Sequence, residues 1–200
     1  MKQRIPLTFA FLFFIFISWS CASFTPPANW PTINKSESDF RKYLDENVDK
    51  LNPLEGIWSI MVSKTKQHIN SGTITTYPPV YIYRIAIVRD STKPNYEFTA
   101  VLLDTQVPYW EPGRVKAVFR STAYEKVYDG CWYSEDYSED CGSFLIDESG
   151  LIKFTTYIGD FTNYYTKNTY KTTIQLLFIK AYPPLTGKSL PSQVNKLKSS

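Results

Sequence analysis

Three cysteines, a single histidine and one bunched set of carboxylates are the side chains of this 200-residue chain whose types and spacing suggest chemistry. Cys131 and Cys141 flank the nine residues WYSEDYSED. Two antiparallel strands can bring such a pair opposite one another, within the ~5.5–6 Å Cα separation that a disulfide takes. Two cysteines without a histidine pair do not complete a tetrahedral zinc set, so a disulfide is the expected chemistry and no metal is assigned. Between them lie Glu135, Asp136, Glu139 and Asp140. Their order lacks the alternating acids and central glycine of a calcium loop, and a solvated hairpin tip is the expected role. His68 lies in the polar stretch KTKQHINSG, where a surface position is expected. The chain has no G-x-S-x-G, no H-E-x-x-H and no phosphate-cradling glycine loop, with only 8 glycines in all. Asp104, Glu111 and Asp160 remain as carboxylates that a fold could bring to the ~5–9.5 Å spacing of a hydrolase pair. The expectation is a protein with no catalytic residues and no cofactor.

The elements that would hold these residues follow from composition and period. Hydrophobic residues make up 43% and charged residues 20%, which suits one folded domain with a core and not a disordered chain. Lys2 and Arg4 precede the uncharged run Pro6 to Ser20, which is shorter than the ~20 residues a membrane-spanning helix needs and fits an export signal over residues 1–20. Loss of that segment removes two of the 22 basic residues, leaving 20 against 19 acids. A near-neutral chain with no basic stripe is not expected to bind nucleic acid. Residues 21–35, with Pro26, Pro27 and Pro31, read as a tether. Ser36-Glu37-Ser38-Asp39 is a capping-box pattern, and Phe40, Tyr43, Leu44, Val48 and Leu51 recur at helical spacing until Asn52-Pro53, predicting one amphipathic helix docked on the domain.

From Leu54 the period changes to two. Trp58, Ile60 and Val62 share one face, and in RVKAVFRS the residues Val115, Ala117 and Phe119 alternate against Arg114, Lys116 and Arg120. About eight strands are expected between Leu54 and Tyr182, with turn clusters such as Ser91 to Asn95 and Asp147 to Gly150 between them. No segment is long enough for a helical crossover, so the expected fold class is all-β, an antiparallel meander closed into a barrel, with residues 36–182 as helix plus barrel and 183–200 as a mobile tail. Aromatics are abundant at 16%, among them Tyr83, Trp110, Trp132 and Phe154. They suit a cavity mouth, a contact surface or a ring-packed core.

Two resemblances sharpen this. The apolar run ending at Ser20 directly before Cys21 resembles the lipobox of bacterial lipoproteins, with Ser18 where that family prefers Leu and Trp19 where it prefers a small residue. The resemblance implies acylation of Cys21, a membrane partner through the lipid anchor and a place in the cell envelope, plain secretion being the alternative. An acylated Cys21 would leave Cys131 and Cys141 to pair. Gly56-Ile57-Trp58 resembles the G-x-W pattern that opens the first strand of lipocalin-like (calycin) barrels, where the Trp plugs one end and a basic side chain of the last strand lies over its indole. Lys180, in the alternation of Ile174, Leu176 and Phe178, stands in that position, where the family usually has Arg. The resemblance covers Leu54 to about Lys180 and implies barrel closure by Gly56, Trp58 and Lys180, with a small apolar or amphipathic ligand inside or at the mouth. A non-catalytic interaction module contacting a protein or glycan through aromatic loops is the alternative, and Trp58 as an ordinary core residue of a β-sandwich is the plainer reading.

Overall fold

The computed structural model describes residues 30–134, 136–162 and 168–184. The expected export signal over residues 1–20, Cys21, residues 22–29 of the expected tether, Glu135 and the residues from 185 on lie outside the described residues. One helix, α1 (Glu37–Glu46), precedes nine strands: β1 (Gly56–His68), β2 (Ile74–Thr76), β3 (Val80–Arg89), β4 (Phe98–Thr105), β5 (Val115–Ser121), β6 (Val127–Tyr133), β7 (Glu139–Ile146), β8 (Leu151–Thr162) and β9 (Thr169–Tyr182). Every pairing is antiparallel: β2 and β3 flank β1, each strand from β3 to β9 lies beside the next, and β1 pairs with β9 from Ile57 to His68. That last pairing turns the meander into a closed eight-stranded barrel of the expected class, with β2 as a short addition to the upper half of β1. The end at which β1 begins is called the lower end below, and the end reached by His68 the upper.

The alternation of β1 sorts its neighbours. Trp58 and Ile60 enter the interior, while Ile57 joins an outer cluster with Ala86, Val101 and the α1 residues Phe40 and Leu44. The helix therefore lies on the outer wall over β1, β3 and β4. Its N-cap is the expected box: Ser36 Oγ accepts from Asp39 N at 3.3 Å and Asp39 accepts from Ser36 N at 2.8 Å. Glu37, in the first turn, accepts two hydrogen bonds from the Arg84 guanidinium at 2.8 and 2.9 Å. The Arg84 bonds, with those of Arg41, hold the Glu37 carboxyl down at about 2 and pin the helix to β3. The helix stops at Glu46, with Asn47 as C-cap, before the Asn52-Pro53 stop the sequence suggested. Val48 is in consequence exposed at the start of a 3-10 turn.

One seam of the closed wall is short. β7 and β8 pair at Leu145↔Lys153 and Ile146↔Ile152 and then diverge upward. Side chains fill the gap: the Phe154 ring lies across Gly142, where a Cβ would come within 3.0 Å of it, and stacks on Phe144 at 4.3 Å. Higher up, Thr156 donates to Asp140 at 3.3 Å. Beside this seam Cys131 and Cys141 face each other directly across β6 and β7 and form a disulfide, with Cα atoms 4.0 Å apart. Cys131 packs outward with Val115 and Val118, so the bridge belongs to the outer wall.

Candidate functional site

The lower end is built around Trp58. Its Nε1 donates to Leu54 O at 2.9 Å, a bond from the first strand back to the segment that leads into it. Lys180 stands opposite Trp58 in the β1–β9 register, with Nζ 5.2 Å from the indole centroid and donating to Pro53 O at 2.8 Å. Gly56 makes this approach possible: at φ +152° it presents no side chain, and a Cβ there would lie 2.5 Å from Lys180 Cε and 2.6 Å from Tyr182 O. Glu55 sits beside them almost fully buried, accepting from Tyr43 Oη at 2.7 Å, Asn52 N at 2.8 Å and Arg89 N at 3.2 Å. Gly56, Trp58 and Lys180, the residues expected to close the barrel with Trp58 as its plug, thus lie in contact, with the 52–55 segment against them.

Burial holds the Lys180 ammonium down to about 8, with the charge of Glu55 acting in the opposite direction. An exposed lysine titrates near 10.4. Between those values the unfolded chain binds more protons than the folded one, so the contribution of this residue to stability rises with pH through that window. Urea unfolding at pH 7.5 and 9.5 is expected to show wild type gaining about 1–2 kcal/mol relative to Lys180→Met, which lacks the titrating group. Equal pH profiles for the two proteins would place the ammonium in water.

Above Trp58 a cluster of rings packs the interior. Phe119 meets Phe144 at 5.0 Å, Phe178 meets Trp132 at 5.6 Å, Tyr83 meets Trp132 at 5.7 Å and Phe98 meets Tyr128 at 6.0 Å. An eight-stranded barrel is just wide enough for side chains to fill, and these rings form one buried cluster within it. Among them stands a charged group that the alternation of β5 did not assign to the inside. Lys116 is fully buried; its Nζ lies 3.7 Å from the Trp110 ring centroid, 4.8 Å from that of Tyr83 and 5.1 Å from that of Trp132, and donates to Tyr133 O at 2.5 Å. The cause is a bulge: Ala100 pairs with Ala117 but Val101 with Val115, leaving Lys116 as the extra residue of β5. Val115 is turned to the outer wall and Lys116 into the barrel, the reverse of the expected faces. No feature of RVKAVFRS signals the bulge.

Trp30 covers this cage at the upper end. It donates from Nε1 to Val115 O at 2.9 Å and meets Trp110, Tyr133 and Tyr137 edge-on at 6.0, 4.7 and 4.9 Å. Tyr137 in turn donates to Tyr109 O at 3.0 Å. Trp110 Nε1 is buried and has no hydrogen-bond partner, the single such side-chain atom among the described residues. Two grooves of about 400 and 410 Å³ lie at the lower end, one lined by the β3–β4 loop with Arg89 and Arg120, the other by Asn52, Pro53 and the β5–β6 loop.

The other candidate positions are dispersed. Asp104 accepts from Tyr81, Glu111 from Arg114 and Asp160 from Tyr157, each in a local contact of its own. Asp136 is held below the usual carboxylate range by Ser138, its hydrogen-bond donor, with the Lys116 charge a smaller cause. Cys131, Glu139 and Cys141 form the one grouping of metal-ligand residue types among the described residues, and its two sulfurs are joined to each other. His68 ends β1, accepting from Ser71 N at 3.1 Å on Nδ1 and meeting the Tyr170 ring at 5.2 Å. Fold and site define a closed eight-stranded antiparallel barrel with a ring-packed interior, consistent with a lipocalin-like architecture. Compared with family models, with curated proteins and with solved structures, the chain matches none.

Proposed function

We propose that this chain is a non-catalytic binding module of the cell envelope, exported by residues 1–20 and held at a membrane through an acylated Cys21, whose barrel is a solid scaffold and whose contacts are made on its outer surface and upper end. The observation that carries this reading is the caged Lys116: the place where a barrel of this size would hold a ligand is occupied by the protein's own ammonium among Trp110, Tyr83 and Trp132. A ligand there would have to displace a buried cation and the rings around it. The separate local partners of Asp104, Glu111 and Asp160 support the non-catalytic part.

A small amphipathic ligand at the mouth is the second reading, favoured by the unpartnered Trp110 Nε1 beneath Trp30 and Tyr137. The two are separated by titrating the protein with fatty acids and apolar fluorescent probes while following tryptophan emission. The scaffold reading expects no saturable binding at one equivalent. Stoichiometric quenching that is lost in Trp110→Phe would establish the mouth site instead.

A further inference from the structure

The barrel wall does not end level. At the upper end β1 and β9 run on together, joined by β2 on one side and the upper half of β8 on the other, so a four-stranded sheet projects past the rest of the rim. The tip of the β1–β2 hairpin is tied to β9 by Ile69 N donating to Thr169 O at 2.9 Å, which makes the projection one body. The exposed large apolar side chains gather on it and at its base: Ile69, Ile74, Tyr77, Val80, Tyr157 and Phe161 are each 44% exposed or more. Val48, Tyr124 and Leu145 are scattered elsewhere. The projection also carries Lys64, Lys66 and Lys171 against the single acid Asp160. Lys66 lies over the rings of Tyr77 and Tyr170 at 5.8 and 5.9 Å, and Lys171 over Tyr157 at 5.3 Å. The register puts Lys64, Lys66 and Phe161 on the face that continues the barrel interior and Ile74, Tyr157 and Lys171 on the opposite face, so rings, isoleucines and lysines surround the tip of the projection on both sides. That mixture sits at a bilayer interface, rings and aliphatic groups in the headgroup boundary and ammonium groups on anionic lipid.

The path of the chain selects that partner. Trp30 is seated at the upper end against Tyr133 and Tyr137, and eight residues separate it from Cys21. At ~3.3–3.6 Å per residue, an anchor at Cys21 lies within about 30 Å of this end. We infer that the projecting sheet of β1, β2, β8 and β9 docks on the surface of an anionic lipid bilayer. The inference rests on the proposed anchor for its orientation, and the lysines and apolar side chains supply the contact.

The test uses protein isolated from cells expressing the full chain with Cys21→Ser, so that no thioether lipid contributes, mixed with vesicles of phosphatidylcholine with or without phosphatidylglycerol. Binding is expected to the anionic vesicles and to weaken with added salt. Lys64→Gln with Lys66→Gln is expected to reduce it about thirty-fold, at the usual contribution of a basic residue near an anionic surface. Ile69→Ser with Ile74→Ser reduces it as well, and Tyr124→Ser, at the opposite end, leaves it unchanged. Lys64, Ile69 and Ile74 are exposed and Lys66 is half-buried with its ammonium at the rings of Tyr77 and Tyr170, so far-ultraviolet circular dichroism is expected to remain that of wild type. Equal sedimentation with neutral and anionic vesicles, or no loss in either double variant, would overturn the inference. The intact mass of the wild-type protein reads acylation of Cys21 separately, so failure of the anchor and failure of the docking surface are distinct results.

Discussion

Gly56→Ala is expected to destabilise the protein by about 3 kcal/mol or more, read as a loss of urea midpoint at unchanged slope. Two costs combine at this position. The backbone is at φ +152°, a conformation that L side chains rarely adopt, and the new methyl would meet both Lys180 Cε at 2.5 Å and the carbonyl of Tyr182 at 2.6 Å. The lysine stem can swing away, but the carbonyl belongs to the β9 end that pairs with β1 and closes the barrel. The methyl must therefore either open the β1–β9 seam or push Lys180 off Trp58 and Pro53. Gly72 isolates the backbone part: it too has positive φ, at +70°, yet nothing lies within 4 Å of its would-be Cβ. Gly72→Ala is expected to cost only about 1–2 kcal/mol. Similar losses at the two positions would mean that the Gly56–Lys180 contact does not hold the lower end together.

Shortening Lys116 is expected to cost more than removing its charge. Lys116→Ala empties a fully enclosed space among Trp110, Tyr83 and Trp132, and a loss of about 3–4 kcal/mol is expected from the cavity and the stranded Tyr133 carbonyl together. Lys116→Met keeps most of the volume. It forfeits a cation–π attraction of about 0.5–2 kcal/mol and, like alanine, the bond to Tyr133 O, but it leaves no cavity and removes the burden of desolvating an ammonium, so a smaller loss of about 1–2 kcal/mol is expected. Thermal or urea unfolding of the two variants gives the order. If methionine proves as damaging as alanine, the ammonium itself is the structural element. If both are neutral, the lumen is loose enough for a guest and the scaffold reading fails.

The wall of this barrel was legible in the sequence because alternation is a local signal. Trp58 and Ile60 face the interior as their spacing implies, and eight strands with turns where Pro, Gly, Asn and Asp cluster follow from the same reading. The G-x-W and the basic residue of the last strand were legible as a pair through their resemblance to calycin barrels, and in the structure they stand in register across β1 and β9. What escaped the sequence depends on departures from strict pairing. A single bulged residue turns Lys116 inward and Val115 outward, and period-two reasoning has no means to place a bulge. The split between β7 and β8, and the Phe154 ring that closes it over Gly142, are equally non-local. The helix ended early at Asn47, whose side chain donates to Tyr43 O at 2.8 Å and satisfies the turn in place of another helical residue. The polar stretch KTKQH carries no strand signal of its own: β1 runs through Lys64 and Lys66 to His68 because β9 supplies partners along its full length.

The claim on which the functional reading turns is that the protein fills its own barrel, with Lys116 at the centre of the rings. Nuclear magnetic resonance of the Lys116 side chain tests it most directly, since an ammonium 3.7 Å from the Trp110 centroid places the adjoining methylene in the shielding region of several aromatic faces. A Lys116 ε-methylene proton resonance displaced strongly upfield of the other lysines, and unmoved when apolar probes are added, is the expected result. An ordinary lysine position, or a shift that collapses on addition of a probe, would contradict it and return the interior to a ligand.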